Sequence, residues 1–251
     1  QYGEQPHWMI VVLAAMIGQI GQPGGGFGLG YSAENGIGNP VKHFKWPALN
    51  QFKNLITDFI PVARYSDMLL NPGKNFTFNG QTYQYPNIKL VYWAGGNPFH
   101  HQMNLSKLRK ATFKPDTIIT NEIWWNSLAR HADIIFPTTT TLERNDIGFR
   151  HWEQTVSPMH KAIDPIGNSR NDFDIFSLIS EKLGIKEQFT ENKNEEEWLK
   201  TLWDEARESA RENNFYLPDF DQFWNGGFFE VLKPTHEQIL MEDFVKKPKQ
   251  F

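Results

Sequence analysis

The sequence predicts an α/β fold, a Rossmann-like parallel sheet flanked by helices. Short apolar runs of strand length lie at 88–93, 117–120 and 133–136. Segments with helical character separate them, at 104–111 and 123–132. Strands that alternate with helices are typical of parallel sheets. The chain has 251 residues, which is enough for one large domain with a sizeable core, so we predict a single α/β domain.

Residues 1–85 are predicted to hold a helix, a glycine-rich loop and an irregular region. Pro6 suits the first turn of a helix, and apolar residues predict a helix over 8–20 that ends at Gly21. Its longest apolar run has ten residues, whereas a membrane-spanning helix requires roughly 20. We therefore predict a buried helix. The six glycines of 21–30 favour either a tightly turned connection or backbone packed against a ligand.

The remaining chain divides into a nucleotide-binding core, 86–190, and a helical C-terminal extension, 191–251. Amphipathic patterns predict helices over 172–183 and 195–213. Before the core, a partial helix is expected over 55–65. Asn79-Gly80 predicts a hairpin turn between two short strands within residues 76–85.

Composition excludes several classes of function. The net charge is −4, so binding to nucleic acid through phosphate neutralisation is not expected. The chain contains no cysteine, which excludes disulfides, thiolate metal sites and a cysteine nucleophile. No P-loop, no Gly-x-Ser-x-Gly elbow and no His-Glu-x-x-His motif occurs, so hydrolysis and phosphoryl transfer have no support.

Polar residues follow three successive predicted strands, where α/β sheets bind their ligands. After the first strand comes Gly95-Gly96-Asn97, followed by His101. Two glycines allow backbone N–H groups to approach an anion, and Asn97 and His101 are placed to donate to phosphate or ribose oxygens. The first strand end therefore predicts an anion-binding loop.

The next two strand ends complete a predicted mononucleotide site. Asn121-Glu122 follows the second strand, and a carboxylate there accepts two hydrogen bonds from ribose hydroxyls. Arg144 follows the third strand, after the run Thr138–Thr141. Its guanidinium suits stacking on a base or pairing with phosphate.

Structural interpretations of the same residues stay open. Glu122 also fits a surface carboxylate, Arg144 a structural salt bridge, and the threonine run an ordinary strand. His100-His101 resembles a metal pair, but adjacent side chains point apart and no third ligand stands at a suitable spacing. We predict no metal ligand in this chain.

Three long blocks carry a family resemblance. They are GEQPHWM with LAAMIGQIGQPGGGFG (residues 3–9 and 13–28), VYWAGGNPFHH (91–101) and ARHADIIFPTTTTLERND (129–146). Together they resemble the molybdopterin oxidoreductases of the dimethyl sulfoxide reductase family. The nearest subgroup reduces trimethylamine N-oxide, biotin sulfoxide, methionine sulfoxide or dimethyl sulfoxide. The resemblance covers nearly the whole chain, yet only a central portion of such an enzyme.

The resemblance implies a cofactor, bis(molybdopterin guanine dinucleotide) with molybdenum, and a chain that grips one guanosine diphosphate arm. The metal's protein ligand, a serine in this subgroup, would lie outside this chain, so no catalytic residue is expected within it. Where the family commonly has Asp, Glu122 keeps the charge on a longer side chain. The positions that match cofactor-binding positions of the family are Asn97, His101, Asn121, Glu122, Arg144 and Asp172, the last suited to guanine, with Asp174 as a nearby alternative.

The same resemblance implies partners and a location. The expected partners are the remaining domains of the parent reductase, a small S- or N-oxide substrate and an electron donor such as a c-type cytochrome. Neither nucleic acid nor a membrane span is expected, and the subgroup implies a periplasmic location. The chain opens at Gln1 with an apolar segment close behind, as expected of a segment of a larger protein. Two alternatives remain, a stand-alone guanine-nucleotide-binding module without redox activity and a non-binding structural domain.

Overall fold

The computed structural model of the protein describes residues 3–28, 46, 48–56, 59–149, 155–230 and 239–250. They fall into two compact units. The first is formed by Gln1–Ala48, Asp146–Met159 and Glu197–Phe251, and the second by Leu49–Asn145 and His160–Glu196. Helices, together with a parallel three-stranded sheet, confirm the predicted α/β class. The division of the sequence at 85/86 and 190/191 stays a prediction.

The described helices agree with the amphipathic patterns at 104–111, 172–183 and 195–213 to within one residue at each end. The α-helices are α1 (Gln5–Met16), α2 (Tyr65–Leu70), α3 (Pro98–His101), α4 (Leu105–Thr112), α5 (Asp172–Lys182), α6 (Lys186–Thr190), α7 (Glu195–Glu212), α8 (Phe220–Gly226) and α9 (Glu242–Lys246). Short 3₁₀ helices cover Val62–Arg64, Ala129–His131 and Pro248–Gln250. The helix expected over 55–65 is therefore present only at its C-terminal end, and residues 57–58 lie outside the described part.

The described strands form three small sheets. They are β1 (Asn75–Phe78), β2 (Gln81–Gln84), β3 (Leu90–Ala94), β4 (Thr117–Glu122), β5 (Ile134–Pro137), β6 (Asp146–Phe149), β7 (Thr155–Met159) and β8 (Phe229–Glu230). β1 and β2 form the predicted hairpin around Asn79-Gly80, whose positive φ values of 48° and 77° suit a two-residue hairpin turn. β6, β7 and β8 pair antiparallel.

The sheet β3-β4-β5 belongs to the second unit, and its neighbouring strands run parallel. Ile118 of β4 is buried, as are Leu108 and Ala111 of α4. Asn104 caps α4 by accepting a hydrogen bond from the Lys107 N–H at 3.1 Å. Buried apolar residues therefore lie on both β4, whose C-terminal end carries Asn121 and Glu122, and α4.

The helix predicted over 123–132 is wrong, because only Ala129–His131 forms a helical turn, of the 3₁₀ type. The Asn126 side chain accepts the Ala129 N–H at 3.0 Å, so a local side-chain turn replaces the expected helix. Trp124 and Trp125 before this turn are exposed. The apolar pattern of this segment therefore does not report a buried helical face.

The core of the first unit is built by the apolar stripe of α7. Trp203 is fully buried, stacks on Phe223 with ring centroids 3.7 Å apart, and donates its indole N–H to the Pro218 carbonyl at 3.0 Å. The other buried members are Val156, Leu199, Ala206, Ala210, Phe215, Leu217 and Phe220. The amphipathic pattern over 195–213 thus correctly predicted a helix with one buried apolar face.

The N-terminal helix differs from its prediction. It runs from Gln5 to Met16 and so ends before Gly21, and of its side chains only Ala14 is buried. Trp8 is 67% exposed and Met16 79% exposed. The apolar composition of this helix favours burial, but no other described segment packs over most of its side chains. Residues 29 and 30 of the glycine-rich run lie outside the described part.

No helix among the described residues is both long and apolar enough to cross a membrane.

Candidate functional site

The carboxyl ends of β3, β4 and β5 lie side by side at one edge of the parallel sheet. Ala94 pairs with Asn121, and Glu122 pairs with Pro137. The residues that follow each strand, which include Asn97 and Thr138, therefore begin at the same edge. This is the edge at which sheets of this class bind ligands.

Asn97 presents a buried hydrogen-bond donor at this edge. It is 7% exposed and precedes α3, where its side-chain oxygen accepts the Phe99 N–H at 3.1 Å. Its amide nitrogen is buried without a partner among the described residues. Such a group is costly unless an acceptor satisfies it. The preceding Gly95 and Gly96 have φ values of 95° and 79°, which disfavour any side chain, and His101 ends α3 in an exposed position.

Asn121 and Asp172 are in direct contact, although 51 positions separate them. Asn121, at the end of β4, is buried, and its amide nitrogen donates to an Asp172 carboxylate oxygen at 2.7 Å. The Tyr92 hydroxyl of β3 donates to the Asn121 side-chain oxygen at 2.8 Å. Burial raises the pKa of Tyr92, and the negative charge of Asp172 raises it further. This chain of bonds holds the exposed Asp172 carboxylate, in the first turn of α5, beside the strand ends.

Glu122 and Thr138 are neighbours at the ends of β4 and β5. Glu122 is half-buried and accepts the Ile123 N–H at 3.2 Å, while its carbonyl accepts the Thr138 N–H at 3.2 Å. The Thr138 hydroxyl is buried without a partner among the described residues. It is a second polar group at this edge whose hydrogen bonding is incomplete.

Arg144 lies in the loop that follows β5. Its guanidinium donates to the Thr139 carbonyl at 3.2 Å, and it lines a polar cleft of about 320 Å³. Asp174, the alternative to Asp172, lines this cleft too. The full set of lining residues is Glu143, Arg144, Asn145, Lys161, Pro165, Ser169, Arg170, Asn171, Asp174 and Glu195.

The threonine run is not a strand, because Glu143 folds it into a turn. One carboxylate oxygen of Glu143 accepts from both the backbone N–H and the hydroxyl of Thr140, at 2.7 and 2.8 Å. The other oxygen accepts the Ile166 N–H at 2.7 Å. Glu143 is 4% exposed. These bonds, first the one from the Thr140 backbone, lower the pKa of Glu143 below its usual value.

Glu143 should make the protein sensitive to acid. Because its pKa is lowered in the folded state, its stabilising effect is complete above the unfolded value of 4.5 and is lost as pH falls through the lower folded value. We expect Glu143→Gln to flatten the dependence of the unfolding free energy on pH below about pH 4.5. Urea unfolding between pH 3 and 7 measures this, with the exposed Glu187→Gln as control. An acid branch as steep in Glu143→Gln as in the wild type would contradict the assignment.

Of the six predicted site residues, the structure brings Asn121 and Asp172 into direct contact, and Arg144 lines a cleft together with Asn171 and Asp174, which flank Asp172 in the sequence. Sequence reasoning missed Tyr92, Glu143 and Glu195. Glu143 precedes Arg144 and follows the threonine run Thr138–Thr141. A carboxylate at this spacing can accept from a threonine N–H, so the sequence did contain a signal for the turn. Tyr92 and Glu195 act through contacts distant in sequence, and no local pattern indicates them.

Comparisons with known proteins show the family of the chain. The family model "Molybdopterin oxidoreductase" matches residues 1–182. Biotin sulfoxide reductase from Cereibacter sphaeroides is 46% identical over 90% of this chain and 30% of its own length. Trimethylamine-N-oxide reductase from Haemophilus influenzae is 44% identical over 89% of this chain and 29% of its own. The chain thus spans about 30% of the length of these relatives.

Among solved structures, acetylene hydratase from Pelobacter acetylenicus is similar with a TM-score of 0.44 and 14% identity. The match covers 60% of this chain and 19% of that one.

Proposed function

This chain belongs to the molybdopterin oxidoreductase family, and from that premise we propose that it grips one guanosine diphosphate arm of a bis(molybdopterin guanine dinucleotide) cofactor. The parent protein would be a molybdenum-dependent S-/N-oxide reductase, like the relatives named biotin sulfoxide reductase and trimethylamine-N-oxide reductase. The cofactor, when bound, supplies two-electron oxygen-atom transfer at molybdenum, and the protein supplies binding and orientation.

The contact between Asn121 and Asp172 is the observation that carries this proposal. Guanine offers N1–H and N2–H as two parallel donors, and a carboxylate accepts both. The 2.7 Å bond from Asn121 uses one lone pair of one Asp172 oxygen. A carboxylate has about four acceptor sites, so both oxygens can still accept from a base while Asn121 holds their orientation.

The remaining groups at the edge fit the other parts of a nucleotide. The unpartnered amide of Asn97 donates to a phosphate or ribose oxygen, and the Glu122 carboxylate accepts from ribose hydroxyls. Arg144 supplies positive charge for a phosphate. His101, exposed at the end of α3, is a further donor. This set of a donor amide, two carboxylates and a cation suits the base, ribose and phosphate groups of a guanosine diphosphate.

The same proposal includes the protein's surroundings. The remaining domains of the parent reductase would complete the pterin site and supply the molybdenum ligand. A small S- or N-oxide would be the substrate, a c-type cytochrome the electron donor and the periplasm the location. These points rest on the family resemblance.

Nucleotide binding tests the proposal directly. Guanosine diphosphate is titrated calorimetrically into the cofactor-free native gene product, with adenosine diphosphate as the matched ligand. We expect saturable binding that is at least about tenfold tighter for the guanine nucleotide, since its two N–H donors have no counterpart in adenine. The native product should also contain molybdenum by elemental analysis.

Three other outcomes of the titration would contradict parts of this proposal. Equal affinity for the two nucleotides would contradict guanine recognition, and absence of guanosine diphosphate binding would overturn the gripping role. Binding of guanosine diphosphate by a native product of 29.2 kDa that holds no molybdenum would replace the reductase with the stand-alone nucleotide module.

A further inference from the structure

Glu195 has a place in the cleft that neither the sequence patterns nor the family match assigns. It is the first residue of α7 and lies beyond residues 1–182, which the family model covers. It is half-buried and lines the same cleft as Arg144 and Asp174. Its carboxylate thus lies in the cleft of the cation that is proposed to bind a phosphate.

The hydrogen bonds of Glu195 reach both ends of the Arg144 loop, residues 138–145. At one end, its carboxylate accepts from the backbone N–H of Asn145. At the other end, it accepts from the Asn171 amide nitrogen, whose side-chain oxygen in turn accepts the Thr139 hydroxyl at 2.7 Å. One carboxylate therefore connects the start and the end of the loop to the first turn of α5.

Thr139 also accepts a hydrogen bond from the Arg144 side chain. The Arg144 guanidinium donates to the Thr139 carbonyl at 3.2 Å, and the Thr139 N–H donates to the Arg170 carbonyl at 3.1 Å. The loop's conformation and the direction of the guanidinium thus depend on the same residue. Loss of Glu195 would remove the acceptor of the Asn145 N–H and of the Asn171 amide, which orients the Thr139 hydroxyl.

Charged side chains surround the Glu195 carboxylate and affect its ionisation. Arg144 attracts its carboxylate, whereas Asp174 repels it, and Lys161 and Arg170 also line the cleft. Burial raises the pKa of Glu195, and the Asp174 charge raises it further. A carboxylate kept ionised under these conditions requires its hydrogen-bond donors, so the loop and Glu195 stabilise each other.

We propose that Glu195 is a positioning residue that fixes the Arg144 loop so that Arg144 faces a phosphate group bound in the cleft. The identity of the ligand rests on the function proposed above, whereas the fixing of the loop does not. A purely structural role would be to favour the start of α7, because acidic residues stabilise the first turn of a helix. Glu196, the next residue and also in the first turn, offers that effect without lining the cleft.

Amide hydrogen exchange and nucleotide affinity, measured on the same purified proteins, test this proposal. The variants are Glu195→Ala, the conservative Glu195→Gln and the matched control Glu196→Ala. In Glu195→Ala we expect exchange in peptides covering 139–145 to rise about tenfold or more, the factor that loss of a hydrogen bond to a charged group predicts. Affinity for guanosine diphosphate should fall about tenfold.

The conservative variant separates positioning from general stability. Glu195→Gln retains an acceptor oxygen, so it should restore most of the exchange protection and of the affinity, and Glu196→Ala should match the wild type in both. Unchanged exchange at 139–145 in Glu195→Ala, or an equal rise in Glu196→Ala, would overturn the proposal. If the loop responds as expected but the wild type fails to bind the nucleotide, the proposed function has failed and the positioning role stands.

Discussion

Replacement of Trp203 by alanine is expected to lower the free energy of unfolding by about 3–5 kcal/mol, the range for truncation of a buried Trp or Phe. Trp203 is fully buried and stacks on Phe223 at 3.7 Å. The substitution therefore removes apolar contacts and leaves a cavity at the centre of the first unit. It also leaves the Pro218 carbonyl, now 3.0 Å from the indole nitrogen, without its donor.

Two further variants separate the loss of the indole hydrogen bond from the loss of the whole side chain and provide an exposed control. Trp203→Phe keeps an aromatic ring but removes the indole N–H, so we expect a loss of about 1–3 kcal/mol. Tyr216→Ala, at a side chain that is 68% exposed in the same unit, should change stability by less than about 0.5 kcal/mol. Urea unfolding followed by far-ultraviolet circular dichroism measures all three. A loss below about 1 kcal/mol in Trp203→Ala would show that this stack is not central to the core.

Replacement of Asp172 by alanine is expected to have the largest effect on cofactor binding. The variant loses both acceptor oxygens for the guanine donors and leaves the amide of Asn121, which is buried, without its partner. Hydrogen bonds to a charged group contribute about 1.5–3 kcal/mol, which corresponds to a loss of roughly ten- to a hundredfold in affinity for guanosine diphosphate. The molybdenum content of the purified native gene product should fall with it.

Asp172→Asn makes the test specific. Its carbonyl oxygen still accepts from Asn121, but its amide group faces the guanine N–H donors, so we expect the preference for guanine over adenine to be lost. Asp116→Ala, which removes an exposed carboxylate paired with Lys89, is the matched control. Unchanged molybdenum content and affinity in Asp172→Ala would contradict guanine recognition by this residue, and thermal unfolding checks that α5 still forms.

The sheet and the long helices were predictable because their signals are local. The strand β3 and the helices α4, α5 and α7 each follow from periodic apolar residues and nearby turn residues, such as the glycines after β3. The hairpin follows from two adjacent residues, Asn79 and Gly80. In each case the side chains that decide the structure lie within a few residues of one another.

The predictions that proved wrong concern apolar segments whose side chains are exposed among the described residues. The segment 123–132 was expected to be a helix, but Asn126 forms a local turn, and Trp124 and Trp125 are exposed. Leu183, the last residue of the amphipathic pattern over 172–183, follows the last residue of α5 and is exposed. Hydrophobicity states what a side chain favours, whereas burial also depends on what packs against it.

The sequence by itself determined the α/β class, the positions of the three parallel strands in the core and the family to which the chain belongs. It also named Asn121 and Asp172 as candidates, one from a strand end and the other from the family resemblance. Only the tertiary structure decided that these two side chains meet, that Tyr92 holds one of them and that Glu195 reaches the Arg144 loop. The physical reason is distance along the chain. Periodicity and turn chemistry act over a few residues, whereas contacts across 51 positions depend on how the elements pack.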